Sequence, residues 1–141
     1  MFDPNLFVLS RCNETQQGDI IQSGGEWMLR TEGGRVLILS GGRSGHLYDA
    51  DNDHCLLLKK REGMSIRLGN LLSASAITKI SEPFATAAFS DQGIVLLGYE
   101  NGEVTHTFYL DGSKADAKPA VPMKGWHLFV DKLNGEELQL F

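Results

Sequence analysis

Three aspartates at alternate positions, Asp49, Asp51 and Asp53, form the densest group of potential ligand atoms in the chain. A D-x-D-x-D run opens the calcium loop of an EF-hand, but that loop also needs glycine at its sixth position and a bidentate glutamate at its twelfth. His54 and Lys60 stand at those places. The run is therefore expected to be a turn with solvated carboxylates, an acidic knob suited to a basic partner, and no metal is expected there.

The four histidines, His46, His54, His106 and His127, show no H-x-H or HExxH spacing, and Cys12 and Cys55 are too far apart in sequence to read as a ligand pair. His106, between Val104 and Phe108 on one side of an alternating run, reads as a core histidine. The two cysteines sit in apolar company and read as buried free thiols. The run Gly41-Gly42-Arg43-Ser44-Gly45 could form a backbone nest for an anion. It lacks the lysine of a phosphate loop and a following helix, so a glycine-rich hairpin turn is the simpler expectation. Lys59-Lys60-Arg61 reads as a solvated strand end. No catalytic residue and no cofactor is expected.

Composition supports that emphasis on binding. The chain has 141 residues, 42% of them hydrophobic and 22% charged, with 16 glycines, a profile expected of one globular domain rich in turns. Its formal net charge is −5. Up to residue 70 there are 8 Lys and Arg against 9 Asp and Glu, and beyond it 5 against 9, so the second half is the acidic half. An acidic surface repels phosphate backbones and attracts basic proteins, so nucleic acid is not the expected partner. The first residues lack a basic segment followed by a long apolar core, and no apolar run approaches the roughly 20 residues that span a bilayer. A cytoplasmic protein is the expectation, in which Asn13-Glu14-Thr15 is a coincidental sequon.

The elements that must position these residues read as strands. Residues 84–110 show three of them joined by two tight turns. Ile94, Val95, Leu96 and Leu97 form an apolar run bounded by glycines, as in a strand covered on both faces. After the Asn101-Gly102 turn, residues 103–109 alternate, with Val104, His106 and Phe108 opposite Glu103, Thr105, Thr107 and Tyr109. Upstream, strands over 27–31, 36–39, 46–49 and 54–60 follow one another with glycine or aspartate turns between them, a meander. A strand near Ile20 precedes them, and Asp3-Pro4 could start a helical turn. Residues 65–68 read as a further strand, and 71–80 fit either strand or helix. Residues 111–125 carry two prolines and no periodicity, so a long exposed loop is expected there. Residues 126–133 and 136–141 read as a closing hairpin around Asn134-Gly135.

A shift of 57 residues lays Leu37-Ile38-Leu39 over Ile94-Val95-Leu96 and Ser44-Gly45 over Asn101-Gly102. Both copies resemble the glycine turn and strand of WD-type β-propeller blades. The Gly-His and Trp-Asp signatures are missing at the matching places, and at least four blades of about 40–45 residues are needed to close a propeller. The repeat is therefore read as two similar hairpins.

The expected architecture is all-β, an antiparallel sandwich or open barrel of about nine to eleven strands built from successive hairpins. The expected function is a non-enzymatic protein-binding module, of the kind an immunity-type inhibitor uses to cover a basic toxin or nuclease. Its contact residues would be Asp49, Asp51 and Asp53, then Tyr99, Glu100 and Glu103, then Asp111 and Asp116. The alternatives are a small-ligand or hydrolytic barrel with convergent histidines and carboxylates, and a structural subunit that uses exposed strand edges.

Overall fold

The computed structural model describes residues 4–60, 64–69, 72–73, 87–100, 103–116, 119–124, 126–132 and 135–141. Among them the regular structure is fourteen strands and two short 3-10 turns, an all-β fold with more strands than the nine to eleven expected. No helix among the described residues is long and apolar enough to cross a membrane.

The first sheet has six antiparallel strands. They are β1 (Phe7–Arg11), β2 (Ile20–Ser23), β3 (Glu26–Thr31), β4 (Arg35–Ile38), β5 (Leu47–Asp49) and β6 (His54–Leu58). Their spatial order is β1-β6-β2-β3-β4-β5. Of the meander expected over residues 27–60, β3 to β5 pair in succession, with β2 added before them, but β6 does not follow β5 and instead returns across the sheet to lie between β1 and β2. Register explains why a non-local pairing wins. Phe7 lies opposite Leu58, and Val8 opposite Leu57, which in turn faces Ile21, so each apolar residue meets another on its own face.

This sheet is apolar on both faces. Leu29, Leu37, Leu47 and Leu58 point into the main core, while Ile21, Met28, Val36 and Ile38 form a second buried cluster on the other face. The paired residues in the sequence, Ile20-Ile21 and Met28-Leu29, are the local cause, because successive strand residues point to opposite faces.

The second sheet holds β8 (Leu72–Ser73), β9 (Ala87–Ser90), β10 (Gly93–Glu100), β11 (Glu103–Phe108) and β12 (Pro119–Lys124), in the order β11-β10-β9-β12-β8. As the apolar run predicts, β10 is interior, with Leu96 in the main core and Val95, Leu97 and Tyr99 in a third cluster on the outer face. The expected long loop over 111–125 is corrected by β12. Its prolines are tolerated because Pro119 begins the strand beside a register irregularity, and because β8 pairs only with Met123 and Lys124, leaving β9 as the one described neighbour of Pro119 and Pro122. Of the window 71–80, Leu72 and Ser73 are strand and the rest lies outside the described residues, as do Asn101-Gly102 and Asn134.

His106 is half-exposed instead of core, its ring stacked 6.0 Å from that of Phe108 with Nδ1 2.9 Å from Thr105 Oγ1. The register shifts between Gly98 and Tyr99, and the buried polar residue of this strand is Thr107, whose hydroxyl donates to the Ala115 carbonyl at 2.7 Å. The loop after β11 covers the face that alternation alone would leave wet.

A third sheet, β7 (Ser65–Gly69), β13 (His127–Asp131) and β14 (Glu137–Gln139), contains the expected closing hairpin. The main core draws Trp27 and Leu37 from the first sheet, Leu96 and Phe108 from the second, and Leu128 and Val130 from the third. The two hairpins of the internal repeat, β4–β5 and β10–β11, meet directly: His46 bridges Tyr99, whose amide donates to the Gly45 carbonyl at 2.7 Å.

Candidate functional site

The outer face of the first sheet carries a continuous apolar row, Val8, Leu57, Ile21, Met28 and Ile38, each opposite the next across five strands. Such a face needs cover. The 3-10 turn Cys12–Glu14 lies on one side of it, tied to the loop after β5 by the Cys12 amide donating to the Asp53 carbonyl at 3.0 Å and the Asn13 amide to the Asp51 carbonyl at 2.8 Å. Arg30 Nη1 and the Thr15 hydroxyl both donate to the Cys12 carbonyl, at 3.1 and 2.6 Å. The amide of Asp53 donates to Asp51 Oδ1 at 3.0 Å, and Ala50 N–H to the Gly34 carbonyl at 3.0 Å, so the acidic loop is pinned at both ends.

The cover is incomplete and leaves a pocket of about 380 Å³. Cys12, Met28, Val36 and Ile38 form its floor. Asp49, Asp51 and Asp53 all line it, and Glu26, Arg43 and Tyr48 complete the wall. Arg43, from the glycine turn, places Nε 3.2 and 3.1 Å from the two Glu26 carboxylate oxygens, and its Nη2 also donates to Glu26. The same guanidinium sits 5.2 Å from the centroid of the Tyr48 ring, and the His46 ring stacks with that ring at a centroid distance of 6.0 Å. The Glu26 contact holds the Arg43 proton beyond the usual arginine range. The glycine turn thus presents an arginine, and its Ser44 and Gly45 amides donate to the Gly41 and Ile38 carbonyls at 3.2 and 2.7 Å.

Both thiols belong to this face. Burial, then the neighbouring Cys55 thiol, push Cys12 up to about 12, and burial likewise raises Cys55. Both are free and buried, as expected, but their meeting in one cluster depends on β6 returning beside β1.

The remaining expected contact residues divide. Glu100 pairs with Arg35, which also lies 3.8 Å from Asp49, so Glu100 joins the acidic rim through a shared cation. Glu103 is exposed and opposite Glu100 in register. Tyr99 is corrected: at 2% exposure it packs with Ala88, Val95 and Leu97, and burial pushes its hydroxyl up to about 12. Tyr99 shares the face of Val95 and Leu97 by simple alternation along β10, and that face is covered. Asp111 accepts from the Ser113 amide at 2.9 Å and hydroxyl at 2.5 Å, contacts that hold its carboxyl below the usual range. It lines a separate pocket of about 290 Å³ with Lys60, Leu58 and Ile66. Asp116 is exposed.

The histidines have other company. His127 Nδ1 lies 2.9 Å from the Phe141 carbonyl and 3.2 Å from Gln139 Nε2, while His106 contacts Thr105 and Phe108. Among the described residues no group of three or more His, Cys, Asp or Glu could hold a metal ion. Sequence reasoning missed Glu26 and the pocket floor. The signal for the floor was the doubled apolar residues of β2 to β4; Glu26 carries no local signal, because only the pairing of strands brings it to Arg43.

Comparison of the chain with protein-family models, with curated proteins and with solved structures gives no significant match.

Proposed function

We propose that the protein is a non-catalytic binding module that engages a basic protein partner through the outer face of its first sheet, as an immunity-type inhibitor covers a cationic toxin or nuclease. The observation that carries this reading is the gathering of Asp49, Asp51, Asp53 and Glu26 around one apolar-floored pocket, with Glu100 tied to the same rim through Arg35. Carboxylates at a rim accelerate encounter and set specificity, while an apolar floor at the centre supplies contact area that excludes water. The net charge of −5 adds a long-range field of the right sign. A cytoplasmic location fits an inhibitor that protects its own cell.

The test is a kinetic binding titration of a purified cationic bacterial ribonuclease at ionic strengths from about 0.05 to 0.5 M, across which the Debye length shortens several-fold. The on-rate is expected to fall steeply with salt. Binding with an on-rate indifferent to salt would remove the electrostatic mechanism. The pocket volume itself favours a second reading, a small-ligand binder, since about 380 Å³ lies within the range of such sites.

A further inference from the structure

The outer-face pocket already displays how it handles a guanidinium group. Arg43 forks onto the Glu26 carboxylate and lies over the Tyr48 ring, the two modes by which planar guanidinium is recognised. Glu26 is spoken for, with its side chain only 16% exposed. Asp51 and Asp53 remain at the mouth as exposed carboxylates, and behind them lies a floor of Cys12, Met28, Val36 and Ile38. With Glu26 held by Arg43 and Asp49 lying 3.8 Å from Arg35, the negative charge at the mouth is that of Asp51 and Asp53, while the depth is apolar. A ligand that satisfies both needs a cationic head on an aliphatic stem. The floor residues are each less than a tenth exposed, so a ligand meets them only by entering the pocket.

We infer that this pocket seats one arginine side chain of a basic protein partner, its stem on the floor and its guanidinium between Asp51 and Asp53 beside Arg43. The inference rests on the reading of the protein as a binder of basic proteins, and it names the group that the site takes. Arginine is favoured over lysine because its fork matches two carboxylates. Arg43 is then a competitor within the chain: it lowers the negative charge that the incoming guanidinium meets.

The probe is Nα-acetyl-arginine amide, titrated into the full chain and followed by amide chemical shifts. A dissociation constant on the order of 1 mM is expected for a single seated side chain. Shifts are expected at Met28, Val36, Ile38, Tyr48, Asp51 and Asp53 and not around Asp116. Nα-acetyl-norleucine amide, with the stem but no charge, and guanidinium chloride at equal ionic strength, with the charge but no stem, are each expected to bind at least about tenfold more weakly. Asp51→Asn with Asp53→Asn keeps an acceptor for the Asp53 amide, preserving the turn, and is expected to weaken the probe about fivefold or more. Arg43→Ala is expected to strengthen it.

Binding of the probe without binding of any basic nuclease would support the seat and sink the partner reading of the protein. Nuclease binding that depends on the rim aspartates, with no pocket shifts from the probe in either the natural chain or Arg43→Ala, would overturn the seat and leave the partner reading standing. Equal binding of the norleucine and arginine amides would also overturn it.

Discussion

The first and second sheets each have an apolar outer face, and the two are covered differently. On the second sheet, Ala88, Val95, Leu97 and Tyr99 lie under Tyr109 and Ala115 from the loop after β11. That loop is sewn down by the Thr107 hydroxyl to the Ala115 carbonyl, the Ala115 amide to the Thr107 carbonyl at 2.8 Å, and the Tyr109 amide to the Ser113 carbonyl at 2.9 Å. On the first sheet the cover is a single 3-10 turn and an acidic loop, and a pocket remains between them. The difference separates two kinds of aspartate. Asp111 accepts from both the amide and the hydroxyl of Ser113 in its own turn, whereas Asp49, Asp51 and Asp53 gather round one opening, Asp51 accepting from the Asp53 amide. Equal charge in the sequence therefore meets unequal surroundings: a closed cover in one place, an open pocket in the other.

The largest expected effect comes from prising the closed cover off. Gly112 has φ +83°, and a Cβ there would lie 2.3 Å from the Arg30 carbonyl oxygen and 2.8 Å from the Gly18 nitrogen. Gly112→Ala combines a backbone conformation that L residues avoid with a clash against main chain, and a loss of about 3 kcal/mol is expected in urea unfolding. A loss under about 1 kcal/mol would show that this loop does not clamp the sheets.

Truncation compares the faces directly. Leu97→Ala on the closed face should cost about 3 kcal/mol, because the hole it leaves has no route to relax. Met28→Ala at the pocket floor should cost less, about 1–2 kcal/mol, because its contacts on one side are already missing. Equal costs measured in the same denaturant would mean that the first sheet is as well covered as the second.

The thiols give a pH readout of the open face. A raised pKa means that the folded state keeps its proton where the unfolded state has lost it, so this contribution to stability is whole below pH 9.0 and is lost as pH rises toward about 12. Stability of the natural chain should decline over that window more than that of Cys12→Ala. In the native protein at neutral pH both thiols should resist iodoacetamide and should react on unfolding. Rapid native alkylation of Cys12 would show that the pocket floor is more open than its 5% exposure states.

The smallest effect belongs to Asp111. Its lowered pKa gives a contribution present above the ordinary carboxylate range and lost as pH falls through the folded value. Asp111→Ala should lower stability slightly at neutral pH and not at all in strong acid, and it should leave partner binding unchanged.

The turns were legible because glycine clusters and aspartates mark them, and the interior position of β10 was legible because four consecutive apolar residues serve two faces. The return of β6 was not, since a strand's own residues specify which face is apolar but not which distant strand it meets. The strand Pro119–Lys124 was hidden by prolines that the sheet accommodates at a strand start and beside a short neighbour. Of the candidate site, the D-x-D-x-D run was readable as an exposed acidic turn. The pocket floor was not, because Cys12, Met28, Val36 and Ile38 come from separate segments that only the pairing order joins. Tyr99 misled because the face it shares with Val95 and Leu97 is covered by Tyr109 and Ala115, which no local pattern announces.

The central claim is that the open face, and not acidity in general, recognises the partner. The direct measurement is the on-rate and affinity for a purified cationic ribonuclease of two variants that change charge unequally in place: Asp49→Asn/Asp51→Asn/Asp53→Asn at the pocket, and Asp111→Asn/Asp116→Asn at the closed cover. The account predicts that the first loses about tenfold or more in affinity while the second stays within about twofold of the natural chain. Equal losses in proportion to charge removed, or a loss confined to the second variant, would contradict it.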